Sequence, residues 1–131
     1  MIKKIVLTNS QIYSLGSDIL TKMSDDIKFP AKSMFYIQKN MNYLLVLARE
    51  IDDARTKILE RYGKLNEEED RYSIDEKEFP TLQKELTDLL SLEQEVKMYP
   101  IKLDWLGDVE LSRSQMRVIE LMIEEPEEPE S

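Results

Sequence analysis

Residues 34–62 carry the strongest hydrophobic pattern in the chain. Apolar side chains recur at Met34, Ile37, Met41, Leu44, Ala48, Ile51, Ile58 and Tyr62. The steps alternate between three and four, the seam that paired helices share, and only Arg55 interrupts it. Leu45, Leu47 and Leu59 widen the stripe, which suits a helix clasped by several elements. At 1.5 Å per residue such a helix is roughly 40 Å long and should cross the whole domain. Its ends are also signalled. The residue before Pro30 is pushed away from helix, and Ser33 is a cap candidate for the first free amides. Arg61 suits the negative end of the helix dipole, and Gly63 should supply a left-handed stop.

The flanking segments yield shorter elements. Residues 2–7 (Ile2, Ile5, Val6, Leu7) form a strand pattern that ends at Thr8. Thr8-Asn9-Ser10-Gln11 then has the capping-box form, in which the threonine hydroxyl reaches forward to a backbone amide and the glutamine reaches back. The helix that follows places Ile12, Leu15, Ile19, Leu20 and Met23 on one face, with Ile27 as an outlying member. Gly16 lies inside it at a cost of about 1 kcal/mol relative to alanine, which points to another backbone packed closely there. Residues 66–78 read as a long acidic loop of the kind that is usually mobile or functional. Phe79-Pro80 opens a third helix with Leu82, Leu86, Leu89 and Leu90 on its apolar face. Residues 96–103 alternate as an extended segment interrupted by Pro100. Gly107-Asp108 marks a turn. A last helix starts at Ser112, carries Met116, Ile119, Met122 and Ile123, and should run until Pro126.

Two distant stretches share a start signal. Leu7-Thr8-Asn9-Ser10-Gln11-Ile12 matches Leu111-Ser112-Arg113-Ser114-Gln115-Met116. Good caps converge on the same few residues. If the likeness has spatial meaning, the two short strands before the caps should lie side by side, joining the ends of the chain.

Composition narrows the chemistry. At 131 residues the chain fits one domain able to bury a sizeable core. It has no cysteine for disulfides or thiolate metal sites. It has no histidine, the commonest general base and pH switch. No apolar run approaches the ~20 residues of a membrane span, and the first ten residues are too short and polar for a signal peptide. These features predict a soluble intracellular protein. The net charge of −9 is concentrated in two places. Residues 66–78 carry seven acids and two bases, and residues 124–130 five acids and no base. The rest of the chain is near neutral.

No phosphate-binding glycine loop or nucleophile elbow is present. Glu50-x-x-Asp53 and Glu67-x-x-Asp70 have a spacing that could hold magnesium. The first pair sits among Arg49, Arg55 and Lys57 as a solvated, ion-paired helix face, and the second belongs to a charge run. No catalytic residue, metal ligand or cofactor is therefore expected, and the protein is read as non-enzymatic. Lys28, Lys32 and Lys39 interleave with Phe35, Tyr36 and Tyr43, a mixture able to hold phosphate and stack bases. The net charge opposes that use. Met34, Met41 and Met116 fall on expected core faces. The candidate partner-binding residues are Glu67, Glu68, Glu69 and Asp70, together with the single tryptophan, Trp105, for which a core plug is the favoured reading.

IVLTNSQIY, SMFYIQKN, AREIDDARTKILERYG and LSRSQMRVIELMIEE resemble a family of small uncharacterised helical proteins of phages and prophages of Gram-positive bacteria. The likeness spans most of residues 1–125. It implies a viral accessory or assembly protein in the bacterial cytoplasm and brings no catalytic residues with it. The expected fold is mainly α: a long central helix, three shorter helices packed on it, and a minor two- or three-stranded β element from residues 2–7, 96–103 and 109–111. Residues 1–123 should form one helical domain and 124–131 a disordered acidic tail. The expected function is protein–protein binding, in virion assembly or as a virion component. The alternative is an acidic, nucleic-acid-mimicking inhibitor of a host defence enzyme. The partner is then a viral or host protein, and a homo-oligomer through the long helix is a further option.

Overall fold

The computed structural model describes residues 2–23 and 26–124, so the expected tail beyond Glu124 lies outside the described residues. In chain order the elements are β1 (Lys3–Thr8), α1 (Asn9–Lys22), α2 (Ala31–Tyr62), β2 (Gly63–Asn66), β3 (Arg71–Ile74), α3 (Phe79–Ser91), β4 (Glu93–Met98) and α4 (Arg113–Glu120). Short 3-10 turns lie at Glu76–Glu78 and Leu103–Leu106. The fold is mainly α with a minor β part, as the pattern predicts. Among the described residues no helix is long and apolar enough to cross a membrane.

The long helix α2 is continuous over 32 residues, a rod of about 48 Å. Its buried seam is Ser33, Ile37, Asn40, Leu44, Leu47 and Ile51. That is the expected three-four spacing, turned by one residue at alternate steps. Met34 is 48% exposed, while Met41 and Ala48 are only half-buried. Apolarity alone selects Met34 and Met41. Burial selects Ser33 and Asn40, because each spends its polar atoms on backbone groups. Ser33 Oγ donates to the Pro30 carbonyl at 3.0 Å, so Ser33 is not the cap; Pro30 holds that position without a side-chain bond.

At the other end Gly63 is extended (φ −132°), not left-handed, because the chain passes straight into β2. A Cβ there would sit 3.0 Å from Ile74 Cγ1 and 3.2 Å from the Ser73 carbonyl, so glycine serves the close approach of β3. The acidic stretch is accordingly not an open loop. β2 and β3 form an antiparallel hairpin with Asn66 opposite Arg71. Asn66 Oδ1 accepts from the Glu68 amide at 3.1 Å, and Asp70 takes a left-handed φ of 51° to close the turn.

Helix α1 begins with the expected box: the Gln11 amide donates to Thr8 Oγ1 at 3.1 Å, and the Thr8 amide donates to Gln11 Oε1 at 2.8 Å. Ile12, Leu15, Gly16 and Ile19 face α2 and the core. A Cβ on Gly16 would come within 2.6 Å of Ala48 Cβ, so the two helices touch at that point. Leu20, expected on the inner face, is 75% exposed. The helix ends at Lys22, which leaves Ile27 outside it.

β1 pairs antiparallel with β4, Ile5 opposite Val96 and Leu7 opposite Gln94. Residues 109–111 form no strand, so the expected pairing of the two short strands does not occur. Asn9, buried where β1 becomes α1, explains why β4 wins. Its amide donates to the Leu92 carbonyl at 2.8 Å and its Nδ2 to the Leu89 carbonyl at 2.9 Å, while its Oδ1 accepts from Gln94 Nε2 at 2.6 Å.

Ser112 does cap α4 with a full capping box, but the helix stops at Glu120, short of Pro126. Residues 122–124 turn instead to the backbone of Ile101: its amide donates to the Met122 carbonyl at 2.9 Å, and its carbonyl accepts from the Glu124 amide at 2.8 Å. Lys3 Nζ donates to the Ile123 carbonyl at 2.9 Å, so the two ends of the described chain do meet, by a different route.

Candidate functional site

Lys32, Phe35, Tyr36 and Lys39 stand at i, i+3, i+4 and i+7 on the first turns of α2, a spacing that puts them on one face. The segment from Tyr99 to Trp105 lies against them. Asn40 fixes its start: Nδ2 donates to the Tyr99 carbonyl at 2.8 Å and Oδ1 accepts from the Tyr99 amide at 2.8 Å. A side-chain amide thus replaces a neighbouring strand at the point where β4 has ended and Pro100 has no amide to offer. The 3-10 turn Leu103–Leu106 then carries Trp105 back onto the helix, and Gly107 leaves that turn at φ 63°, a conformation L side chains rarely adopt.

The result is a connected aromatic face. Tyr36 stacks near Trp105 with centroids 6.1 Å apart, lies 5.6 Å from Tyr99, and meets Phe35 edge-on at 5.3 Å. Lys32 Nζ sits 4.1 Å from the Trp105 ring centre. Lys39 Nζ lies 5.0 Å from Phe35 and 5.2 Å from Tyr99. Such contacts contribute about 0.5–1 kcal/mol each at exposed sites. Phe35 is 53% exposed and Tyr99 40%, whereas Tyr36 and Trp105 are half-buried against the core. The described residues form two ion pairs, Arg55 with Asp52 and Arg61 with Glu85, both at 3.7 Å, and neither involves Lys32 or Lys39. The face therefore offers two ammonium groups beside exposed rings, and it complements a ligand that combines carboxylates with flat or ring-bearing apolar groups.

The sequence-derived candidates divide between two places. Trp105 belongs to this face. Glu67, Glu68, Glu69 and Asp70 form the exposed tip of the β2–β3 hairpin, which grows from the far end of α2. The helix between Tyr36 and Tyr62 is about 39 Å long, so the acids and the tryptophan do not make one site. Of the lysine–aromatic mixture, Lys32, Lys39, Phe35 and Tyr36 converge. Lys28 lines a separate open cleft of about 650 Å³ with Phe29, Pro30, Leu106, Asp108 and Gln115, and Tyr43 joins none of the ring contacts. Asn40 and Tyr99 were not anticipated. The available signal was a polar residue three after Ile37 and four before Leu44, on the buried seam itself.

The carboxylates of the outer helix face stay apart. Asp52 pairs with Arg55 and receives the Tyr13 hydroxyl at 3.4 Å. Among the described residues no three acidic side chains gather as a metal site would require. Near the hairpin, the Tyr62 phenol is raised above its ordinary value, first by the neighbouring Glu85 carboxylate and second by burial. Glu85 Oε2 is buried with no hydrogen-bond partner among the described residues. Tyr72 is raised chiefly by burial and then by Glu60.

Comparison with protein-family models, with curated proteins and with solved structures gives no match to this chain.

Proposed function

We propose that this protein is non-enzymatic and works by binding another protein through the lysine–aromatic face, as an accessory of a phage or prophage in the bacterial cytoplasm. Virion assembly, or a place in the virion, is the role this reading favours. The viral setting rests on the likeness of IVLTNSQIY, SMFYIQKN and LSRSQMRVIELMIEE to the phage and prophage family. The observation that carries the binding role is the pinned aromatic cluster. Phe35 and Tyr99 are left in solvent although Asn40 fixes the backbone beside them, and large aromatic and cationic side chains of this kind anchor interfaces. Rigid presentation lowers the ordering cost of docking.

A second reading keeps one specific observation. Four acids, Glu67 to Asp70, are gathered in a single turn held by Asn66 and Asp70. A host-enzyme inhibitor of the nucleic-acid-mimic type would use that tip. A self-association through the long helix would use its exposed apolar side chains, Met34, Phe35 and Val46.

Affinity capture from infected cells distinguishes these, with three versions of the chain compared side by side. The favoured reading expects one partner that is retained by a hairpin variant (Glu67, Glu68 and Glu69→Gln with Asp70→Asn) and lost by Lys39→Ala with Trp105→Ala. Loss with the hairpin variant alone, steeply dependent on salt, would favour the inhibitor. Retention by both variants would remove the face from the account.

A further inference from the structure

We propose that residues 125–131 of this same chain, EPEEPES, dock on the face formed by Lys32, Phe35, Tyr36, Lys39, Tyr99 and Trp105 and cover it until a partner displaces them. The inference rests on the reading of that face as a docking surface and adds its resident occupant.

Three observations support it. The first is position. The Glu124 amide is bonded to the Ile101 carbonyl at 2.8 Å and the Ile123 carbonyl to Lys3 Nζ at 2.9 Å. The chain is therefore held at residue 124 beside Ile101, two residues from Tyr99 and four from Trp105. Seven further residues reach at most about 25 Å, enough to cross the face without strain.

The second is conformation. Pro126 and Pro129 are three apart, the repeat of a polyproline II helix, and in that conformation both rings would project from the same side. Aromatic-lined surfaces receive such segments because the extended helix is already formed and loses little entropy on docking. Tyr36, Tyr99 and Trp105 provide a surface of that type.

The third is charge. Glu125, Glu127, Glu128 and Glu130 surround the prolines, and the face presents Lys32 and Lys39 outside any ion pair with another described residue. Asp104, on the turn that bears Trp105, is exposed. The segment puts four negative charges where the two ammonium groups are, and tethering gives it an effective concentration in the millimolar range. A partner must then outcompete an internal ligand, so the face is selective for partners that bind more tightly than the segment does.

Trp105 is the only tryptophan and lies in the face itself, so its fluorescence reports occupancy. The experiment compares the full chain with a full-length variant carrying Glu125, Glu127, Glu128 and Glu130→Gln with Pro126 and Pro129→Ala. It measures quenching of Trp105 by neutral acrylamide and the binding of a synthetic EEPEEPES peptide. The expected result is easier quenching in the variant at low salt, converging with the wild type at high salt. Peptide binding should be roughly tenfold or more tighter to the variant than to the wild type, because the tethered segment no longer competes. Lys32→Gln with Lys39→Gln should remove the difference while circular dichroism stays unchanged. Equal quenching and equal peptide affinity in the two chains would overturn the internal cover while leaving the face as a docking surface. No peptide binding to either chain would overturn the cover too, and partner capture by the Trp105 variants would then decide the docking reading separately. Protection of Trp105 that grows with protein concentration would also overturn it, since the occupant would be a second copy.

Discussion

Asn40 shows how one residue couples the core to the exposed face. It is buried on the α2 seam, yet both polar atoms of its side chain are satisfied by the Tyr99 backbone. Replacing it by leucine keeps the branched outline with bulkier ends and leaves a carbonyl and an amide unpaired, at about 1–3 kcal/mol for each group that water cannot reach. Asn40→Leu should therefore lower the urea midpoint and loosen Trp105, with easier acrylamide quenching below the transition. An unchanged midpoint would mean that Tyr99 is held by something else. Tyr62 gives a second test at this scale. Its phenol is raised in the folded state, so the stability it contributes is complete below the ordinary tyrosine range near pH 10 and is lost as pH rises through the raised folded value. Glu85→Gln should shift the late tyrosine titration downward and flatten the alkaline loss of stability. Identical alkaline profiles in the two chains would contradict that assignment. Asn40 and Ser33 also mark the limit of an apolar pattern. A stripe drawn from hydrophobicity passes beside both, because their burial depends on backbone groups that the pattern does not register.

Elements were legible wherever their signals are local. Both capping boxes form at Thr8 and Ser112, since each needs only four consecutive residues. The proline start of α3 and the continuity of α2 are local in the same way. What failed depends on residues distant in sequence. Residues 109–111 carry an alternating pattern, but β1 is claimed by β4 through Asn9. α4 ends at Glu120 because Ile101 takes the backbone of residues 122–124. The hairpin in the acidic stretch was hidden by its charge, although Asn66 and Asp70 are turn formers. The α1–α2 contact was partly readable from Gly16, and it can be tested as a pair. Gly16→Ala gains helix propensity of about 1 kcal/mol but places a methyl 2.6 Å from Ala48 Cβ, and overpacking of this kind costs about 1–3 kcal/mol. The single change should destabilise, and Ala48→Gly in the same chain should recover part of the loss. A neutral or stabilising Gly16→Ala would show that the helices can separate there at little cost.

At the scale of the molecule, α2 separates two surfaces of opposite chemistry. Its first turns carry cations over rings, and its last turn leads into a hairpin tipped with four acids. The net charge of −9 averages over these ends and describes neither. The proposed function, with one surface for the partner and a separate acidic tip, requires that they be held apart by a straight rod. The chain has no cysteine, so spin labels can be placed at will. Gln38→Cys and Glu60→Cys, both on exposed positions of α2, should give one narrow distance distribution set by a backbone separation of about 33 Å. A markedly shorter distance, or two populations, would mean that the helix bends or splits near its middle, and the two-ended arrangement would be contradicted.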